Sequence, residues 1–126
     1  MSKSQRTKGA AGEREWCAVL KAHGFQEPKR LLGQARDGGG DVPTPPLLWE
    51  VKRRARIAVY EFMAQAVAGL AAQPKCSLPA VALRADGKDW LVLMRAEDVL
   101  PVIRMALGLR CAASYKRRDL EVDRCA

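Results

Sequence analysis

The segment from Val59 to Ala71 constrains the fold of this chain more than any other. Val59, Phe62, Met63, Ala66, Val67 and Leu70 recur at i, i+3, i+4 and i+7, the period of a helix with one buried face. The spacing predicts a helix over roughly residues 59–71, and such a helix needs an apolar surface to lie on. Apolar runs stand on both sides of it. Leu47 to Lys52 reads as a buried strand, and Leu78 to Leu83 and Trp90 to Met94 read as two more, joined by the turn Ala85-Asp86-Gly87-Lys88.

The remaining elements follow from their punctuation. A first helix is expected from about Lys8 to His23, with Gly24 as its stop, and a last one from about Val99 to Leu107, with Gly108 behind it. Residues 1–7 read as a mobile basic arm and residues 114–126 as a charged tail, which leaves 8–113 as one domain. Lys29 to Leu32 is expected as a short strand. Gly33 to Gly40, GQARDGGG, is too rich in glycine for regular structure and reads as a loop. Asp41-Val42 then opens an extended segment, with a turn at Pro43-Thr44-Pro45-Pro46.

Composition narrows the partner. The 126 residues are 48% hydrophobic, enough for one real core and too many for wholesale disorder. No apolar run approaches the roughly 20 residues of a membrane span, and the polar start MSKSQRTKGAAGER is not a signal peptide. The net charge is +8, and it is uneven: residues 1–56 carry 12 basic and 6 acidic side chains, residues 57–126 carry 10 and 8. A small basic protein meets polyanions, nucleic acid first, and here the first half should face it. Aromatics at 6% are too few for single-strand binding by stacking alone. Cys17, Cys76, Cys111 and Cys125 form no CxxC pair and His23 is the only histidine, which argues against structural zinc. They read as reduced thiols of a cytoplasmic protein.

One constellation has the makings of chemistry. Side chains alternate along a strand, so Glu50 and Lys52 share a face, about 6–7 Å apart, while Trp49 and Val51 face the other way and can pack under a helix. If the segment starting at Asp41 pairs with Leu47–Lys52, the hairpin sets Asp41 beside Glu50. Two carboxylates that close repel unless a cation neutralises them, and oxygen ligands without His or Cys suit Mg²⁺, with Mn²⁺ as a substitute. A metal there can acidify a water and polarise a phosphodiester, and Lys52 can hold that water or stabilise charge on phosphoryl oxygens. Glu13 falls within about 60° of Trp16, Cys17 and Leu20 at 100° per residue, inside an apolar stripe. It is either a third carboxylate of the site or the partner of a buried basic group. Taken alone, E-x-K on a strand is common and the RRAR run, residues 53–56, is equally a solvated face.

The order of these residues resembles a known family. Lys8-Gly-Ala-Ala-Gly-Glu13-Arg14, then Asp41, then Glu50-Val51-Lys52, then Gln65-Ala66 on the next helix is similar to the PD-(D/E)XK nuclease superfamily. Within it, the pattern looks like the archaeal-type Holliday junction resolvases and their phage-borne relatives. The match spans residues 8–66, about half the chain. The resemblance implies a restriction-endonuclease-like α/β fold, a central mixed β-sheet flanked by helices. It implies Mg²⁺-dependent cleavage of DNA, a homodimer on four-way junctions, no membrane partner, and a bacterial or phage setting. Glu13, Asp41, Glu50 and the Val51 carbonyl would be metal ligands, Lys52 the catalytic lysine and Gln65 an active-site helper. Lys3, Arg6, Lys8, Arg14, Lys29, Arg30, Arg36, Arg53, Arg54 and Arg56 would be the DNA contacts. Gly40 stands where the family often has proline, and GQARDGGG replaces the family's Ser-containing loop. Cleavage of duplex, flap or nicked DNA by the same site, and a non-catalytic DNA-binding module, are the alternatives.

Overall fold

The computed structural model describes residues 3–32, 40–109, 115–116 and 121–122. They fall into two compact units, 1–93 and 94–126, so the second begins inside the span expected as one domain. In the first unit the order is α1 (Lys3–Ala22), β1 (Val42–Thr44), β2 (Leu47–Arg53), α2 (Val59–Gly69), a 3-10 turn (Leu70–Ala72), β3 (Leu78–Arg84) and β4 (Leu91–Met94), whose last residue reaches the second unit. The sheet is mixed, in the order β1-β2-β3-β4. Strand β1 runs antiparallel to β2 with Val42 opposite Trp49, and β2 runs parallel to β3 with Leu47 opposite Leu78 and Arg53 opposite Arg84. Parallel neighbours need a crossover, and α2 is that crossover.

The alternation of β2 sorts the helices onto opposite faces. Trp16 of α1 packs edge-on against Trp49 at 5.0 Å and beside Trp90 at 5.2 Å. A Cβ on Gly12 would lie 3.3 Å from Arg53 Cβ and 3.9 Å from Val51 Cγ1, so α1 lies close over the odd-numbered face. On the even face Phe62 and Ala66 of α2 bury against Val81 and Leu83 of β3, with Ala58, Met63 and Leu93 around them. The periodic stripe at Phe62, Met63 and Ala66 thus finds its apolar surface on β3. Full burial of such side chains contributes about 1.5–3 kcal/mol each.

Helix α1 starts at Lys3, five residues earlier than expected. Lys3–Thr7 is therefore helical, with Thr7 Oγ1 donating back to the Lys3 carbonyl at 3.0 Å. These exposed residues include good helix formers and need no apolar stripe to extend a helix. Its end is the expected one. Phe25 N–H donates to Leu20 O and Gly24 N–H to Lys21 O, closing the helix around a Gly24 with φ of 92°, a conformation costly for other residues. Lys29–Leu32 is not a strand: one rung, Leu31 N–H to Asp41 O at 2.9 Å, ties it to the start of β1. Residues 33–39 of the expected loop lie outside the described residues. Gly40, at φ 81°, is pressed against Leu48, whose Cδ1 would sit 2.7 Å from an added Cβ.

The second unit holds α3 (Ala96–Ala106) and a short antiparallel pair, β5 (Tyr115–Lys116) and β6 (Glu121–Val122). The buried Asp98 accepts from Arg95 Nε at 2.6 Å across the first turn of α3. Both short strands fall in the span expected as a charged tail. No helix among the described residues is long and apolar enough to cross a membrane.

Candidate functional site

Strand β1 is short, and its end creates the site. Asp41 N–H donates to Trp49 O at 3.0 Å, the last backbone rung on that edge of β2. Val51 presents the next free amide on the same edge, and it donates to Asp41 Oδ2 at 2.8 Å. A carboxylate thus stands where a strand carbonyl would, and Asp41, only 4% exposed, lies against the Glu50-Val51-Lys52 segment. The hairpin expectation that sets Asp41 beside Glu50 holds in this register.

Glu50 and Lys52 point to the α2 face. Lys52 Nζ is 3.0 Å from Glu50 Oε1 and 5.4 Å from the centre of the Phe62 ring, and Lys52 is 7% exposed. An ammonium so buried needs both partners, a carboxylate and an aromatic face. Gln65 is exposed on α2, three residues beyond Phe62.

Glu13, 2% exposed, approaches from the α1 face. Its Oε2 accepts from Arg30 Nε at 2.6 Å. Of the two readings of Glu13, a pair with a basic group is present, and that group, Arg30, is partly buried. Arg30 adjoins Leu31, whose amide bonds Asp41 O, so this pair is one backbone step from the Asp41 hairpin. Among the described residues no group of three or more His, Cys, Asp or Glu is spaced to hold a metal ion. That does not make the donor set unsuitable. Mg²⁺ is commonly held by one or two carboxylates, with waters and substrate phosphates completing its shell. Asp41 and Glu50, with the Val51 carbonyl on the same edge, are hard oxygen donors that fit that pattern.

The basic residues divide by environment. Lys3, Arg6, Arg14, Lys29, Arg54 and Arg56 are exposed, Arg30 is engaged by Glu13, and Arg36 lies outside the described residues. Lys8 and Arg53 belong to a network that the sequence did not suggest. Lys8 Nζ donates to Asp86 Oδ2 at 2.9 Å, Arg53 reaches Asp86 Oδ1 at 3.3 Å and Glu15 Oε1 at 3.2 Å, and Arg84 reaches Glu15 Oε2 at 3.4 Å. The hydrogen bond from Lys8, with the charges of Lys8 and Arg53, holds the Asp86 carboxyl below its ordinary range. Nothing in the spacing links residue 8 to residue 86; only the turn signal at Asp86-Gly87 marks that position as a surface bend.

Cys17 and Cys76 are free, and burial pushes both thiols up, at Cys17 with Arg30 opposing and Glu13 adding to the shift. They stay protonated at neutral pH and are poor nucleophiles. Cys111 and Cys125 lie outside the described residues. Comparison with protein-family models, curated proteins and solved structures returned no match.

The Glu13–Arg30 pair gives a direct test of the packing around the site. Removing one member of a fully buried pair costs about 3–5 kcal/mol, and the partly exposed Arg30 puts this pair at the low end of that range. Glu13→Ala should therefore lower stability by about 3 kcal/mol in urea denaturation, and adding Arg30→Met should restore part of it. A loss below about 1 kcal/mol would show that the pair is not a structural tie.

Proposed function

We propose that this chain is a metal-dependent endonuclease of the PD-(D/E)XK type, with a restriction-endonuclease-like fold, that hydrolyses DNA phosphodiesters and resolves four-way junctions. The observation that carries the reading is the Asp41 carboxylate bonded to the Val51 amide, which seats it against Glu50 and Lys52 at the end of a strand. Asp41 and Glu50, with the Val51 carbonyl, would hold Mg²⁺, or Mn²⁺ in its place. Such an ion supplies Lewis acidity toward a phosphodiester and a more acidic water. Lys52 keeps a fixed positive charge beside that position, where charge develops on the phosphoryl oxygens. Glu13 would join the ligands while its Oε2 stays on Arg30 or by exchanging that partner, and exposed Gln65 is a candidate to orient substrate. The excess of basic side chains in residues 1–56 suits a phosphate backbone.

Two-fold assembly belongs to the same reading, because a four-way junction needs two opposed cuts and one chain carries one site. Strand β4 is the edge of the sheet, with Leu91 and Val92 exposed. Helix α3 separately exposes Leu100, Val102, Ile103 and Met105, and Leu107 is exposed just beyond it. A second reading, a DNA-binding module without catalysis, is favoured by one observation: Glu13, Asp41 and Glu50 each already meet a protein donor or cation.

Gel cleavage of labelled junction, duplex, flap and nicked DNA with Mg²⁺ or EDTA separates these readings. Wild type should cut the junction only with metal. Asp41→Asn, Glu50→Gln and Lys52→Ala should each lose at least about a hundredfold in rate while still binding DNA. Binding without cleavage of any substrate, with Mg²⁺ and Mn²⁺ alike, would favour the module; a variant cutting above about a tenth of the wild-type rate would misplace the site. Light scattering should give about 28 kDa for a dimer of the 13.9 kDa chain. A monomer that still makes paired cuts would overturn the assembly.

A further inference from the structure

The cluster around Asp86 is poorly explained as a stabilising device. Asp86 sits on the exposed turn between β3 and β4, and exposed ion pairs add little to stability. Yet its two oxygens are placed on two different cations: Oδ2 on Lys8 Nζ at 2.9 Å and Oδ1 opposite Arg53 Nε at 3.3 Å. Lys8 comes from α1 and Arg53 from the end of β2. They are brought into reach of one carboxylate by the close approach of α1 at Gly12.

Beside this cluster Lys3, Ser4, Thr7, Lys8, Ala11 and Arg53 line an open concavity of about 600 Å³. Lys3 and Lys8 from α1 and Arg53 from β2 bring three cations to its lining, and the Ser4 hydroxyl can donate, whereas that of Thr7 is given to the Lys3 carbonyl. The buried Arg53 Nε makes no hydrogen bond, although Asp86 stands nearby. A group with more oxygens than a carboxylate, and with room to enter from the open side, would satisfy that donor and meet Lys8 and Lys3 together. A tetrahedral phosphate has that form.

We propose that this concavity seats a backbone phosphate of double-helical DNA, and that Asp86 is a built-in substitute which holds Lys8 and Arg53 in place until the phosphate displaces it. The proposal rests on the nucleic-acid reading above. It assigns the wall of α1 and Arg53 to substrate binding, apart from the Asp41–Glu50–Lys52 segment. It also makes Asp86 a competitor of the substrate rather than part of the chemistry.

The test is binding of a fluorescent DNA duplex in EDTA, followed by anisotropy over a salt series, so that no cleavage enters. Asp86→Asn should bind about threefold tighter or better, because two cations are freed for phosphate. Asp89→Asn removes the same charge from the same connection and serves as the control for net charge alone. Its gain should be clearly smaller. Lys8→Ala should bind about threefold weaker with a log K against log salt slope shallower by about one, and in that background the gain from Asp86→Asn should shrink, because only Arg53 is left to free. Equal gains from Asp86→Asn and Asp89→Asn, or unchanged binding in Lys8→Ala, would overturn the seat and leave the nuclease reading standing. A wild-type protein that binds no duplex at all would overturn both.

Discussion

The hydrogen bond from the Val51 amide to the Asp41 carboxylate is the constraint on which the first unit turns. Strand β1 contributes three residues to the ladder and then ends, which would leave the amide of Val51 without a strand partner. The Asp41 side chain fills that place. An unpaired buried amide costs about 1–3 kcal/mol, so a carboxylate at this position stabilises the hairpin and is itself fixed by it. The alternation of β2 then decides the rest: Trp49, Val51 and Arg53 lie under α1, while Glu50 and Lys52 turn toward α2. Gly40 completes the arrangement, since Leu48 occupies the space its side chain would need.

Three charged residues of the first unit have almost no exposure: Glu13 on α1, Asp41 just before β1 and Lys52 on β2. Apolar residues of similar volume would cost nothing in desolvation and could pack as well. Each charge is instead matched to a specific group, Arg30 for Glu13, the Val51 amide for Asp41, Glu50 for Lys52. Such placements break the pattern of an apolar interior, and breaks of that kind concentrate at functional sites. The Asp41 and Glu50 carboxylates, each held by a protein donor or cation, and the basic side chains of α1 are then complementary features. In the proposed function the first would hold a cation and the second would meet phosphates.

Local pattern made part of this legible. The stripe from Val59 to Leu70 located α2, and the alternation of Leu47–Lys52 placed Trp49 against a helix and Glu50 on the face of Lys52, while the expected hairpin brought Asp41 to this strand. What the sequence did not disclose was long-range. Arg30 was read as a surface contact because only the fold brings it to Glu13. Lys8 and Asp86 are far apart in the chain and meet only after α1 has settled on β2 and the β3–β4 turn has formed. The early start of α1 has a different cause: apolar periodicity marks buried faces, and Lys3–Thr7 has none. Lys29–Leu32 has the composition of a strand, but its one described rung to β1 is at Asp41, where β1 has not yet begun.

The central claim is that Asp41 and Glu50 together hold a divalent cation. Anomalous scattering from Mn²⁺-soaked crystals tests it most directly, because it locates the ion without reference to activity. The account predicts a peak bridging Asp41 and Glu50, at about 2.0–2.3 Å from their oxygens as expected for a hard cation of this size, with the Glu50–Lys52 contact loosened. Saturating Mn²⁺ that leaves this position empty, with Lys52 still on Glu50 and any bound ion elsewhere on the chain, would contradict it.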